Sequence, residues 1–220
     1  MGRKPLEKIK IKWSPEFAYA LGLLVTDGCW YSNGKTINLT SKDEEQLTNF
    51  MRCLGAEFHI GEKRGGYAGG ISLQVQIGDV KFHRFLNSIG ITPRKTKTIG
   101  AIDIPDKYFF DFLRGHHDGH GTFYSYWDPR WRSSYMFYTV FISASKKHIL
   151  WLKEKINELV GIKGHLTTTG KTPIYALKYA KAESLKLLAK MYYNPEVVCL
   201  SRKRKKIEKA LAVINKTLTD

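Results

Sequence analysis

The chain has 220 residues, with 36 Lys and Arg against 20 Asp and Glu and a formal net charge of +16. That length can bury one large core or two fused halves, and no apolar run reaches the ~18 residues of a membrane span. A positive surplus of this size favours a polyanionic partner.

Cys29, Cys53 and Cys199 are widely spaced and leave one thiol over in any disulfide scheme, which points to a reducing compartment. The basic start MGRKPLEKIK lacks the apolar stretch of a secretory signal. The expected setting is intracellular, in the cytoplasm or an organellar matrix, and not secreted.

Residues 1–13 read as a basic arm. Ser14-Pro15-Glu16 then opens a helix over 15–26, with Ser as N-cap, Pro in the first turn and an acid beside it. Gly28 is expected to end that helix in the left-handed conformation. Strands at 29–32 and 35–40 flank Asn33-Gly34, a two-residue hairpin turn. A helix at 43–54 presents Leu47, Phe50, Met51 and Leu54 on one face. Strands at 57–63 and 71–77 enclose a glycine-rich tip at 64–70. In the second strand Ile71, Leu73, Val75 and Ile77 alternate with Ser72, Gln74 and Gln76, one face apolar and the other polar. A helix at 79–89 closes the first half, residues 14–90, in the order αββαββα.

Residues 91–105 are a connector with Pro93, Gly100 and Pro105 and the cations Arg94, Lys95 and Lys97. Helix resumes near 106 and begins the second half, residues 106–193. Strands at 122–127 and 135–143, a helix at 146–160, strands at 163–168 and 174–179 and a helix at 182–191 repeat the first order. Residues 194–220 hold a tail helix at 202–218 with a basic start.

Two segments organise these halves. Ala20-Leu21-Gly22-Leu23-Leu24-Val25-Thr26-Asp27-Gly28 has its counterpart in Leu113-Arg114-Gly115-His116-His117-Asp118-Gly119-His120-Gly121, 93 residues later, which sets His120 where Asp27 stands. Helices with glycine at their centres can pack backbone to backbone. Their ends would then bring Asp27 and His120 together, where a cation held by a carboxylate, water and substrate suits Mg²⁺. His116 and His120, spaced i,i+4, also admit a zinc reading, although packed histidines are the plainer account of His116 and His117.

These segments and the element order resemble the LAGLIDADG homing endonucleases in their monomeric, two-motif form. Gly22-Leu23-Leu24-Val25-Thr26-Asp27-Gly28 carries the first motif; Phe112-Leu113-Arg114-Gly115 with Asp118-Gly119-His120-Gly121 carries the second, and the likeness spans residues 14–193. The resemblance implies an α+β fold of tandem pseudo-twofold αββαββα repeats. Two antiparallel sheets would form a DNA-binding saddle, with the motif helices packed at the centre. It implies a site-specific double-strand DNA endonuclease of intron or intein homing, using Mg²⁺, for which Mn²⁺ can substitute. Asp27 inherits the metal role, with His120 and the Gly119 position beside it. At His120 the pattern departs from the family acid, since an imidazole is a poor Mg²⁺ ligand. The family also places basic residues after the second strand of each half. Lys42 follows Thr40-Ser41 and Lys146 follows Ser143-Ala144-Ser145, where a lysine can stabilise charge on phosphorus; the alternative is a solvated lysine in a helix's first turn.

Polar residues on the outward sheet faces are candidate readers of a major groove. In the first half these are Tyr31, Asn33, Lys35, Asn38, Arg64, Gln74 and Gln76. In the second they are Tyr124, Tyr126, Arg130, Arg132, His165, Thr167 and Lys178. Trp30, Trp127 and Trp131 read as strand-packing residues, with base stacking the alternative. Two unlike halves on one chain suggest a monomer on a long asymmetric double-stranded target, with RNA as another partner. The competing function is a weakened or inactive nucleic-acid-binding protein on the same fold, an intron-splicing cofactor or a DNA-binding regulator.

Overall fold

The computed structural model describes residues 8–31, 33, 35–64, 70–170 and 173–218. Gly34 of the expected hairpin turn, positions 65–69 of the glycine-rich tip and residues 1–7 of the expected arm lie outside them. The chain divides into two compact units. The first runs to Lys95 and takes in Ile102–Gly119; the second comprises Thr96–Ala101 and the chain from His120 onward.

The first unit contains α1 (Pro15–Asp27), β1 (Gly28–Trp30), β2 (Thr36–Ser41), α2 (Glu44–Leu54), β3 (Ile60–Arg64), β4 (Ile71–Gly78), α3 (Val80–Ser88) and all but the last residue of α4 (Phe109–His120). Ser14 caps α1, its hydroxyl accepting from the Phe17 N–H at 3.1 Å, with proline in the first turn as expected. Every residue from Phe17 to Val25 is buried, as an α-helix apolar all round must be. Four antiparallel strands form one sheet in the order β1-β2-β4-β3. Ile37, Leu39, Val75 and Ile77 supply its core face.

The second unit repeats the pattern with β5 (Thr122–Trp127), β6 (Tyr135–Ser143), α5 (Lys146–Val160), β7 (His165–Thr169), β8 (Ile174–Ala180) and α6 (Lys181–Met191), followed by α7 (Ser201–Ala212). Its sheet has the corresponding order β5-β6-β8-β7, all antiparallel. Phe123, Phe137, Phe141, Leu177 and Tyr179 form its buried side. The α+β class, the tandem αββαββα order and the two antiparallel sheets all match the sequence reading.

Three local expectations differ. Gly28 ends α1 in extended backbone, φ −76° and ψ 142°, rather than left-handed. The chain passes straight into β1, and glycine is needed because a Cβ there would strike the Leu24 carbonyl. β3 begins at Ile60 rather than at 57, where its pairing to Val75 begins. The tail helix ends at Ala212 rather than 218: Asn215 takes a left-handed φ of 54° and the Lys216 N–H turns back to the Leu211 carbonyl.

Candidate functional site

The first unit is built around the contact of α1 with α4. A Cβ on Gly22 would overlap the Phe112 carbonyl oxygen and come within 2.6 Å of the His116 nitrogen; one on Gly115 would overlap the Tyr19 carbonyl. The backbones therefore touch at both glycines. The contact continues to the helix ends, where a Cβ on Gly119 would meet the Thr26 hydroxyl and lie 2.7 Å from Asp27 Oδ2. Asp27 is thus held at the foot of the packed helices, half-buried, beside Gly119.

Its carboxylate is oriented from α2. Gln46 Nε2 donates to Asp27 Oδ2 at 2.7 Å, Ser41 Oγ donates to Gln46 Oε1 at 2.9 Å, and the Asp43 N–H donates to Ser41 Oγ at 3.0 Å. Lys95 lies against the same helix end. It is only 5% exposed, its Nζ donates to the Gly28 carbonyl at 2.8 Å, and it sits 5.2 Å from the Trp30 ring centroid. Burial pushes its ammonium down to about 8, opposed by the charges of Asp27 and Cys29.

The second unit repeats this scaffold with other chemistry. Lys203, from the basic start of α7, donates Nζ to the Gly121 carbonyl at 2.7 Å, as Lys95 does to Gly28. Ser143 accepts from the Ser145 N–H as Ser41 does from Asp43. Counted from the helix caps Asp43 and Ser145, His148 occupies the position of Gln46. Its Nδ1 is 2.9 Å from the Gly100 carbonyl, so that nitrogen carries the proton. The first unit has a carboxylate and an amide where the second has the imidazoles of His120 and His148. His120 is exposed at the end of α4.

Gln46 was not singled out from the sequence, and Lys95 and Lys203 were read there only as parts of the basic connector and of the basic start of the tail helix. Lys95 and Lys203 stand 67 and 82 residues from the glycines they contact, so no constant spacing marks them. The lysines that were singled out do not share a register position. Lys42 precedes the cap Asp43, as Ala144 precedes Ser145, whereas Lys146 follows its cap as Glu44 does; both lysines are exposed.

Asp118 is fully buried and accepts the Tyr19 hydroxyl at 2.9 Å, and Arg114 pairs with Asp111 at 2.7 Å while lying over the Tyr19 ring. Asp118 therefore belongs to the helix contact, and His116 and His117 are buried. Among the described residues no group of three or more His, Cys, Asp or Glu side chains could by itself hold a metal ion.

Sheet register sorts the expected readers. In the first sheet Asn38 pairs with Gln76 and Thr40 with Gln74, on the face away from the core. Asn38 is fully buried and gives its amide to Gln74 Oε1 at 2.8 Å, so it orients Gln74. Asn33 accepts from the Lys35 and Thr36 N–H groups and donates to the Thr36 hydroxyl, so its amide shapes the turn; Tyr31 and Lys35 are exposed. Arg64 pairs with Ile71 and shares the parity of Val75, which sets it on the opposite side of the ladder from Gln74 and Gln76. In the second sheet Tyr124, Tyr126, His165, Thr167 and Lys178 share one face by register. Arg130 and Arg132 are exposed between β5 and β6, where the Arg130 guanidinium bonds Asp128 and holds that carboxyl below its usual range.

Solved structures give the comparison. I-WcaI bound to its DNA recognition sequence superposes with a TM-score of 0.58 over 90% of this chain and 88% of its own, at 13% identity. I-DmoI in complex with DNA and Ca gives 0.56 over 92% and 98%, also at 13% identity. The fold is that of the LAGLIDADG endonucleases. The N-terminal LAGLIDADG domain of DUF199/WhiA matches similarly, with a TM-score of 0.55 over 90% of this chain and 88% of that domain at 13% identity. No protein-family model and no curated protein matches the sequence. Among the described residues no helix is long and apolar enough to cross a membrane.

Proposed function

We propose that the protein is a site-specific DNA endonuclease that binds a long asymmetric duplex and hydrolyses phosphodiesters with Mg²⁺, or Mn²⁺ in its place. The observation that carries this reading is the convergence of Asp27, Gln46 and Lys95 at the foot of two helices packed backbone to backbone. The LAGLIDADG fold and the +16 net charge support it.

The residues present fit a divalent ion only if substrate completes its shell. One carboxylate oxygen of Asp27 is already engaged by an amide, and among the described residues no group of three or more His, Cys, Asp or Glu side chains could by itself hold a metal ion. That is compatible with Mg²⁺, which commonly takes one or two carboxylates together with phosphate oxygens and water. Asp27 would hold the ion, with the Gly119 position beside it, and the ion when bound supplies a Lewis acid against a phosphate oxygen. Gln46 fixes the Asp27 carboxylate. Lys95 and Lys203 each bring an ammonium to the residue after a motif helix, where it can stabilise negative charge developing on a phosphate. Lys42 and Lys146 act as exposed phosphate contacts. In the second unit His120 replaces the acid, so the two strands are cut at unequal rates.

That same substitution favours a second reading, sequence-specific binding with cleavage weakened or lost. A duplex selected by the protein from a randomised library, then incubated with Mg²⁺ or Mn²⁺, separates the two. Cleavage abolished by Asp27→Asn supports the nuclease. Specific binding with no cutting, by the native chain or by His120→Asp, leaves the binder.

A further inference from the structure

The outward faces of the two sheets differ in chemistry. That of the first carries amides, Gln74 and Gln76. That of the second carries three tyrosines beside Met136 and Ala180. Tyr124 pairs across the ladder with Tyr138, Tyr126 with Met136, and Tyr138 with Ala180. The three rings are nearly parallel. Tyr124 and Tyr138 are 5.2 Å apart at 19°, Tyr126 and Tyr138 6.3 Å at 8°, and Tyr124 and Tyr126 6.4 Å at 11°. Rings stacked on one another offer a visitor their edges and hydroxyls rather than open faces, which disfavours stacking of a splayed base. Tyr126 is 41% exposed and leads the patch.

The hydroxyls are neutral donors. A hydrogen bond with Tyr126, then burial, raises Tyr138, and burial, then the charge of Tyr126, raises Tyr124. A tyrosine hydroxyl can donate as well as accept, and the exposure of Tyr126 leaves its own open to a ligand. An apolar edge next to an O–H donor matches one base in the major groove. Thymine alone presents a methyl group beside a carbonyl acceptor, whereas cytosine presents an amino donor there.

We propose that this patch is a thymine reader: Tyr124, Tyr126 and Tyr138 hold thymine 5-methyl groups against their edges, and the Tyr126 hydroxyl donates to O4. The proposal rests on the DNA-binding reading above. The second unit would therefore select a thymine-containing half-site, while Gln74 and Gln76 of the first unit are suited to adenine edges.

The test uses the full chain and a duplex selected from a randomised library, with binding measured without Mg²⁺ or Mn²⁺ so that no cutting intervenes. Each thymine is replaced singly by deoxyuridine, which removes only the methyl group. Two or three neighbouring positions should each lose about fourfold in affinity. The loss should vanish at one or more of these positions in Tyr126→Ala. In Tyr126→Phe, which keeps the ring, it should persist while the preference for thymine over 5-methylcytosine narrows. A selected duplex insensitive to deoxyuridine, or equally sensitive in Tyr126→Ala, overturns the thymine reader and leaves the DNA-binding reading standing. If no sequence is enriched, the DNA-binding reading itself falls.

Discussion

Lys95 shows most directly how burial sets chemistry at single residues. Its ammonium is almost wholly removed from water and donates to the Gly28 carbonyl. Its folded value of about 8 lies below the ordinary 10.5, so between these pH values the unfolded chain binds the extra proton. Stability from this group is therefore full above 10.5 and lost as pH falls through about 8, an effect on the order of 3 kcal/mol. Urea unfolding of the DNA-free protein at about pH 7.5 and 9.5 should show the native chain gaining on Lys95→Met as pH rises; a constant difference would refute the desolvation. At Asp27 the expectation concerns catalysis. Asp27→Asn should lower cleavage at least ~100-fold with duplex binding retained, since Lewis-acid stabilisation amounts to several kcal/mol. Gln46→Leu, which removes the donor that orients the Asp27 carboxylate, should lower cleavage while duplex binding is retained.

At the scale of elements, the contact of α1 with α4 is the structural centre of the first unit. Backbone opposes backbone at Gly22 and Gly115, so a methyl group has nowhere to go. Gly115→Ala should destabilise by about 1–3 kcal/mol. Gly78→Ala, where a Cβ meets nothing within 4 Å, should stay within about 0.5 kcal/mol by the same denaturation measurement. The same contact explains the polar residues in α4. Asp118 lies inside the helix pair with the Tyr19 hydroxyl on it. Tyr19→Phe removes a buried donor to a carboxylate and should cost about 1.5–3 kcal/mol without touching the metal requirement of cleavage. Cys53, buried on α2 with its thiol pushed up to about 12, is a packing residue by the same logic.

For the whole molecule, charge and duplication together define the task. A surplus of +16 makes any nucleic-acid complex strongly salt-dependent. With six to ten phosphate contacts, affinity for a selected duplex should fall roughly 10³–10⁵-fold between about 50 and 200 mM salt. A slope near zero would show that the surplus serves another purpose. The duplication is one of scaffold rather than of chemistry. Strand order, serine turns and lysine-to-carbonyl bonds recur, while carboxylate and amide give way to imidazoles and the outward amides of the first sheet to tyrosines. His120→Asp should therefore speed cleavage of the slower strand, measured as the ratio of nicked to linear product.

Local rules made much of this legible in advance. The capped helix at Pro15, the alternation from Ile71 to Ile77 and the two glycine-centred motifs depend on neighbours a few residues away, so the sequence alone determines the elements, their repetition and the place of Asp27. Long-range partners were not legible. Lys95 and Lys203 reach their carbonyls from unequal distances along the chain, and Gln46 meets Asp27 from another helix. The parity of Arg64 and the quenching of Asn38 depend on strand register. Periodicity fixes which face a residue takes within its own element. Which side chain it meets there is decided by packing and pairing between elements distant in sequence, and so only by the tertiary structure.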